Sequence, residues 1–175
     1  MFFSRLILMA ALLAPPQDRG TLIDRVIAVV GTEVVTESEL MIEARVALAF
    51  REGEYAATAD LPPELLNSLR DYIINQLCVM ITARRLGGPT ISKARVEPAM
   101  KSFRSQFISE ISYQAFLRRY GISEAAIRGI LERDLKNDLF IKSRLRNRFS
   151  EDKDSAAKQA EALEAWLTQM KRSLE

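Results

Sequence analysis

Apolar positions are densest between Leu65 and Leu86, where LLNSLRDYIINQLCVMITARRL runs without an internal turn residue. The stretch is long enough for about six helical turns. Up to Ile74 the apolar residues form a stripe at i, i+3, i+4 spacing. From Leu77 to Ile81 they surround the helix, and a helix that is apolar on every side must be buried. Pro62 and Pro63 suit its start, and Gly87-Gly88-Pro89 is a strong stop. This helix is therefore expected to be the central post of the fold, covered by elements from elsewhere in the chain.

The other elements follow the same periodicity. Leu22 to Val30 is β-branched and apolar, Gly31-Thr32 suits a two-residue turn with glycine first, and Val34-Val35 return as a short strand. Thr36 to Glu39, TESE, is a capping box and predicts a helix to about Phe50. Arg51 to Asp60 reads as a loop by composition. Ser92 is placed to cap a helix from about Lys93 to Ile108, with Pro98 expected to kink it or delay its start. A short helix over Ile111 to Tyr120 is stopped by Gly121, and Ser123 caps a longer one from Glu124 to about Phe149. Ser150 to Ser155 is a polar linker. A last helix, Ala156 to Leu174, carries Leu163, Trp166, Leu167, Met170 and Leu174 on one stripe. The expected fold is mainly α, a helical bundle with a small N-terminal β-hairpin and a C-terminal helix packing back.

Ahead of the hairpin, Met1 to Ala14 reads as a secretory signal, with Arg5 as the charge and Leu6 to Ala14 as the apolar run. That run is shorter than the roughly 20 residues that span a bilayer. Pro15-Pro16 and Leu12 make a poor cleavage site after Ala14, which leaves the cut open between that point and Ala10 or Ala11, with an uncleaved anchor as the alternative. The domain proper is expected from Leu22 to Phe149, with Ser150 to Glu175 as linker and docking helix.

Asp24, Arg25, Val26, Ala28, Val29, Val30, Val34, Val35, Thr36, Ser38, Glu39 and Leu40 together resemble the opening of the SurA family of periplasmic chaperones. The later order of elements is similar to the N-terminal domain of that family. The GPTIS step into the helix after the post, Gly121-Ile122-Ser123 before the long basic-ended helix, and Ala165-Trp166-Leu167 near the end all resemble it. The parvulin isomerase domains, which the family inserts near Ser150, have no counterpart. In the family a further strand pairs with the opening hairpin, and it is expected just where this sequence stops, at Glu175. The resemblance implies an ATP-independent periplasmic chaperone for unfolded outer-membrane or secreted polypeptides, without isomerase activity or cofactor.

Composition supports part of that picture. With 175 residues, 48% hydrophobic and 27% charged, the chain is one ordinary globular domain. The net charge of +2 gives no reason to expect a nucleic-acid partner. The absence of histidine removes the usual catalytic triads and the paired histidines of parvulin sites, and the single cysteine, Cys78, excludes an intrachain disulfide. Glu37/Glu39 and Glu132/Asp134 are carboxylate pairs at a helix start and on a solvated face, so no enzyme is expected.

Two features are candidates for binding. Met100, Phe103, Phe107, Tyr113 and Phe116 would give an adaptable groove for unfolded clients, with ordinary core as the bland reading. Strand residues Val26, Ala28, Val29 and Val30 would present an open edge to a client strand or to a second copy. The basic run Lys142, Arg144, Arg146 and Arg148 is read as a solvated helix end complementing the dipole. A non-catalytic envelope adaptor that binds one folded partner is the alternative function.

Overall fold

A computed structural model describes residues 24–148 and 156–172. The chain is mainly helical, with seven helices among the described residues and a two-stranded antiparallel hairpin at the N-terminal side. The signal segment Met1–Ala14, the linker, and the ends of the expected first strand and last helix lie outside the described residues.

The hairpin pairs β1 (Val26–Val30) with β2 (Glu33–Thr36) in the register Val30↔Glu33, Val29↔Val34, Ala28↔Val35 and Val26↔Thr36. Gly31 has φ 59, the left-handed first position that the turn requires. Ile27 is the extra residue of a β-bulge between Val26 and Ala28. The strand begins later than its apolar run suggests. Asp24 and Arg25 turn toward the start of helix α1 (Glu37–Glu52), where the Arg25 carbonyl accepts from the Glu37 amide at 2.8 Å.

Helix α1 has the expected capping box: the Glu39 carboxylate accepts from the Thr36 amide at 2.9 Å, and the Thr36 hydroxyl accepts from the Glu39 amide at 3.4 Å. The segment expected to be a loop holds a short helix, α2 (Glu54–Thr58). Composition failed there because the support is tertiary. Ala57 is fully buried, and the Arg45 guanidinium donates to the carbonyls of Ala57 and Ala59 at 2.8 and 2.5 Å. Arg45 itself is buried and lies over the Tyr120 ring at 4.5 Å.

Helix α3 (Pro63–Arg85) is the central post. Its end is a Schellman turn in which Gly87 has φ 67 and the Gly88 amide donates to the Ala83 carbonyl at 2.7 Å. A Cβ on Gly88 would sit 2.9 Å from Ala83 atoms, so glycine is required by contact. The hairpin covers Ile73, Leu77 and Cys78 through Val30 and Val35, and α1 adds Leu40 to the same cluster. Helix α7 (Ala156–Arg172) covers Val79 and Ala83 through Met170, assisted by Trp166, whose ring is 6.0 Å from Phe140. The C-terminal helix thus packs back on the body.

The second half of the core lies beyond the post. Helix α4 (Lys93–Arg104) starts at Lys93 and runs through Pro98 without a delayed start. Ser92 stands at its N-cap, but its side chain makes no capping bond there, and the Ser92 carbonyl accepts from the Arg95 amide at 2.9 Å. The helix stops four residues short of Ile108. Helix α5 (Glu110–Tyr120) is capped by Ser109 and Ser112 and stopped by Gly121 at φ 64. Helix α6 (Glu124–Arg148) is capped by the Ser123 hydroxyl, which accepts from the Ala126 amide at 3.1 Å.

Candidate functional site

The hairpin is fastened to α1 by the residues that carry the family resemblance. The Asp24 carboxylate accepts from its neighbour's amide, Arg25, at 2.8 Å, from the Ser38 amide at 3.2 Å, and from the Ser38 hydroxyl. The Ser38 hydroxyl bond leads the causes that lower the Asp24 carboxyl to about 2. Arg25 pairs with Glu37 at 2.9 Å. Glu37 and Glu39 are thus occupied, one by Arg25 and the other by the Thr36 cap. These contacts hold the sheet against α1.

The register divides the strand-edge candidates. Side chains of Ala28, Val30 and Val35 face the post, and those of Val26, Val29 and Val34 face outward at 57%, 64% and 51% exposure. The pair that closes a two-residue turn, Val30 and Glu33, exchanges its hydrogen bonds, so the next pair points its amides outward. The Val29 amide therefore faces the open edge of β1, where no other described strand lies alongside.

The aromatic candidates are corrected by the structure. Met100, Phe103, Phe107, Tyr113 and Phe116 are all buried, and they form one core cluster with α1 and α6. Phe103 stands 5.6 Å from Phe107 and 6.3 Å from Tyr113. The stripe has a single spacing for core and for groove, and here the neighbouring helices cover it. The large apolar groups that reach furthest into solvent are Tyr55, Ile108 and Ile111, ahead of the outward valines of the hairpin, Leu86 and Phe50. The sequence signal for Ile108 points the other way. It precedes the N-cap Ser109, where a hydrophobic staple would fold it onto Tyr113, yet Tyr113 is fully buried without it.

Between α1, α3 and α6 lies a cleft of about 380 Å³ lined by Phe50, Arg51, Tyr72, Gln76, Asp134 and Asn137, among others. The Arg51 guanidinium is 4.8 Å from the Tyr72 ring centre. Beside the cleft, Arg133 makes a two-pronged pair with Glu43 at 2.7 and 2.6 Å. Burial pushes the Asp134 carboxyl up to about 6, and the adjacent Arg133 only partly offsets it. Glu132, the other half of that carboxylate pair, is held by Lys136 at 2.6 Å. Burial likewise raises the Cys78 thiol, which sits under the hairpin as an inert core group.

Asp134 sets a pH dependence of definite sign. Its folded value of about 6 lies above the ordinary 3.8, so the native state binds the extra proton between them. Its contribution makes the protein gain stability as pH falls from about 6 toward 3.8, and about a third of the side chain is exposed, which trims the effect. Urea midpoints of the protein and of Asp134→Asn at pH 5 and pH 7 check this. The variant is expected to lose relatively more at pH 5.

At the basic end of α6, Lys142 pairs with Asp138 at 2.6 Å and Arg144 lies over the Phe140 ring at 5.2 Å. The side chains of Arg146 and Arg148 lie outside the described residues. Among the described residues no helix is long and apolar enough to cross a membrane. No family model, curated protein or solved structure matches the chain.

Proposed function

We propose that this protein is an ATP-independent periplasmic chaperone that holds unfolded outer-membrane or secreted polypeptides, with no isomerase activity and no cofactor. The observation that carries the reading is the hairpin. Its outward face bears three exposed valines, and its β1 edge offers an outward amide at Val29. Such an edge takes an added strand through backbone hydrogen bonds, which every polypeptide can supply irrespective of sequence. That tolerance suits clients that share no motif. The resemblance of Asp24–Leu40 to the SurA opening supports the same reading, and so does the mainly helical body with its hairpin.

Val29→Pro tests it. Proline removes the outward donor while the ladder pairs Ala28↔Val35 and Val30↔Glu33 keep theirs. Suppression of aggregation of an unfolded outer-membrane protein, measured without nucleotide, is expected to fall several-fold with the denaturant midpoint nearly unchanged. Ala28→Pro, which removes an inner ladder bond, is expected instead to lower the midpoint. Full holding activity in a folded Val29→Pro variant would remove the edge as the site. Capture of one folded partner at fixed stoichiometry, with no holding of unfolded chains, would replace the chaperone by an envelope adaptor.

A further inference from the structure

We infer a second binding surface, formed by Tyr55, Ile108 and Ile111, that takes apolar segments of an unfolded polypeptide flanked by basic residues. The inference rests on the chaperone reading for the source of its ligand, and on its own geometry for the rest.

The three side chains are 88%, 93% and 79% exposed. One carboxylate gathers them. Glu54, next to Tyr55, accepts from the Ile108 amide at 2.9 Å and from the hydroxyl of Ser112, next to Ile111, at 3.0 Å. The Glu54 amide in turn donates to the Gln106 carbonyl at 3.3 Å. The start of α2 is thereby tied to the turn between α4 and α5, and apolar residues far apart in sequence come to flank one carboxylate. Ile108 could have folded onto Tyr113 as a staple at no cost in chain length, and it stands in water instead.

Size and charge choose the occupant. A tyrosine offers roughly 200 Å² and each isoleucine about 100 Å², so the patch amounts to about 400 Å². A stable dimer or permanent partner needs about 800 Å² on each side. Half of that suits a weak, repeatable contact, as holding an unfolded chain requires, and does not sustain a second copy. Glu54 and Glu110 border the patch, and neither forms an ion pair among the described residues. Arg104, the nearby cation, is already held by Glu124 at 2.6 Å. The acidic border repels anionic lipid headgroups and attracts lysine or arginine beside an apolar segment.

The test uses the full chain and two synthetic peptides with one apolar, valine-rich centre, flanked by lysines in one and by glutamates in the other. The lysine-flanked peptide is expected to bind several-fold more tightly at low salt, and the difference should shrink at high salt. Ile108→Ser with Ile111→Ser is expected to weaken it about tenfold or more. Because both residues are exposed, the denaturant midpoint should hold. Glu110→Lys is expected to reverse the preference between the peptides. No binding of either peptide, or equal binding by the serine variant, overturns the surface. Peptide binding that obeys these rules, with no suppression of client aggregation, keeps the surface and overturns the chaperone reading.

Discussion

Phe103→Ala is expected to cost about 3–5 kcal/mol of stability, a large share of the about 5–15 kcal/mol that holds a domain of this kind. Phe103 has no exposed surface, and its ring meets Phe107 and Tyr113 in tilted and edge-on contacts. Removing it empties the junction of α4 and α5 and forfeits those ring contacts as well as the burial. Denaturant titration measures the loss. The same variant distinguishes core from groove. A groove residue would cost little stability and much client binding, whereas Phe103→Ala should bind normally under conditions where it remains folded. A loss below about 1 kcal/mol would mean that the aromatic cluster is open to solvent.

Glu43→Ala is expected to cost about 3–5 kcal/mol, because it leaves the Arg133 guanidinium charged, largely buried and without its carboxylate. Both side chains are about 15% exposed, at 14% and 16%, and they meet through two short hydrogen bonds. Burial pushes the Arg133 pKa down and Glu43 outweighs it, so the guanidinium stays charged more firmly than an ordinary arginine. Replacing both partners by apolar residues, Glu43→Leu with Arg133→Met, is expected to recover most of the loss. The four denaturant curves of the cycle read the coupling directly. Equal losses in the single and the double variants would show that the pair contributes packing alone.

Local rules made much of the fold legible. The TESE box, the Gly31 turn, the glycine stops at Gly87 and Gly121, and the Ser123 cap depend on neighbours within a few residues, and all stand as read. The central helix was visible because an all-round apolar segment has one solution, burial. Helix α2 was invisible because Arg45, distant in sequence, holds its carbonyls. The aromatic stripe showed which residues share a face and nothing about what covers it. Tyr55, Ile108 and Ile111 carry no such signal, for the complementary reason. No periodicity marks a residue left outside, and the bond that gathers them spans 54 positions.

Cys78 lies 2% exposed beneath the hairpin, against Val30 and Val35 of the sheet. A thiol reagent reaches that sulfur when its cover opens, the sheet on one side or α7, whose Lys171 acts on the thiol, on the other. Its labelling rate is thus a clock for local opening at the post. Each molecule is marked once, irreversibly, at a single atom, without any foreign probe in the chain. A polypeptide that adds to the edge leaves the lid shut and slows the clock. One that wedges between sheet and post speeds it. The lone thiol therefore tells, from a rate alone, on which side of the hairpin a guest has settled.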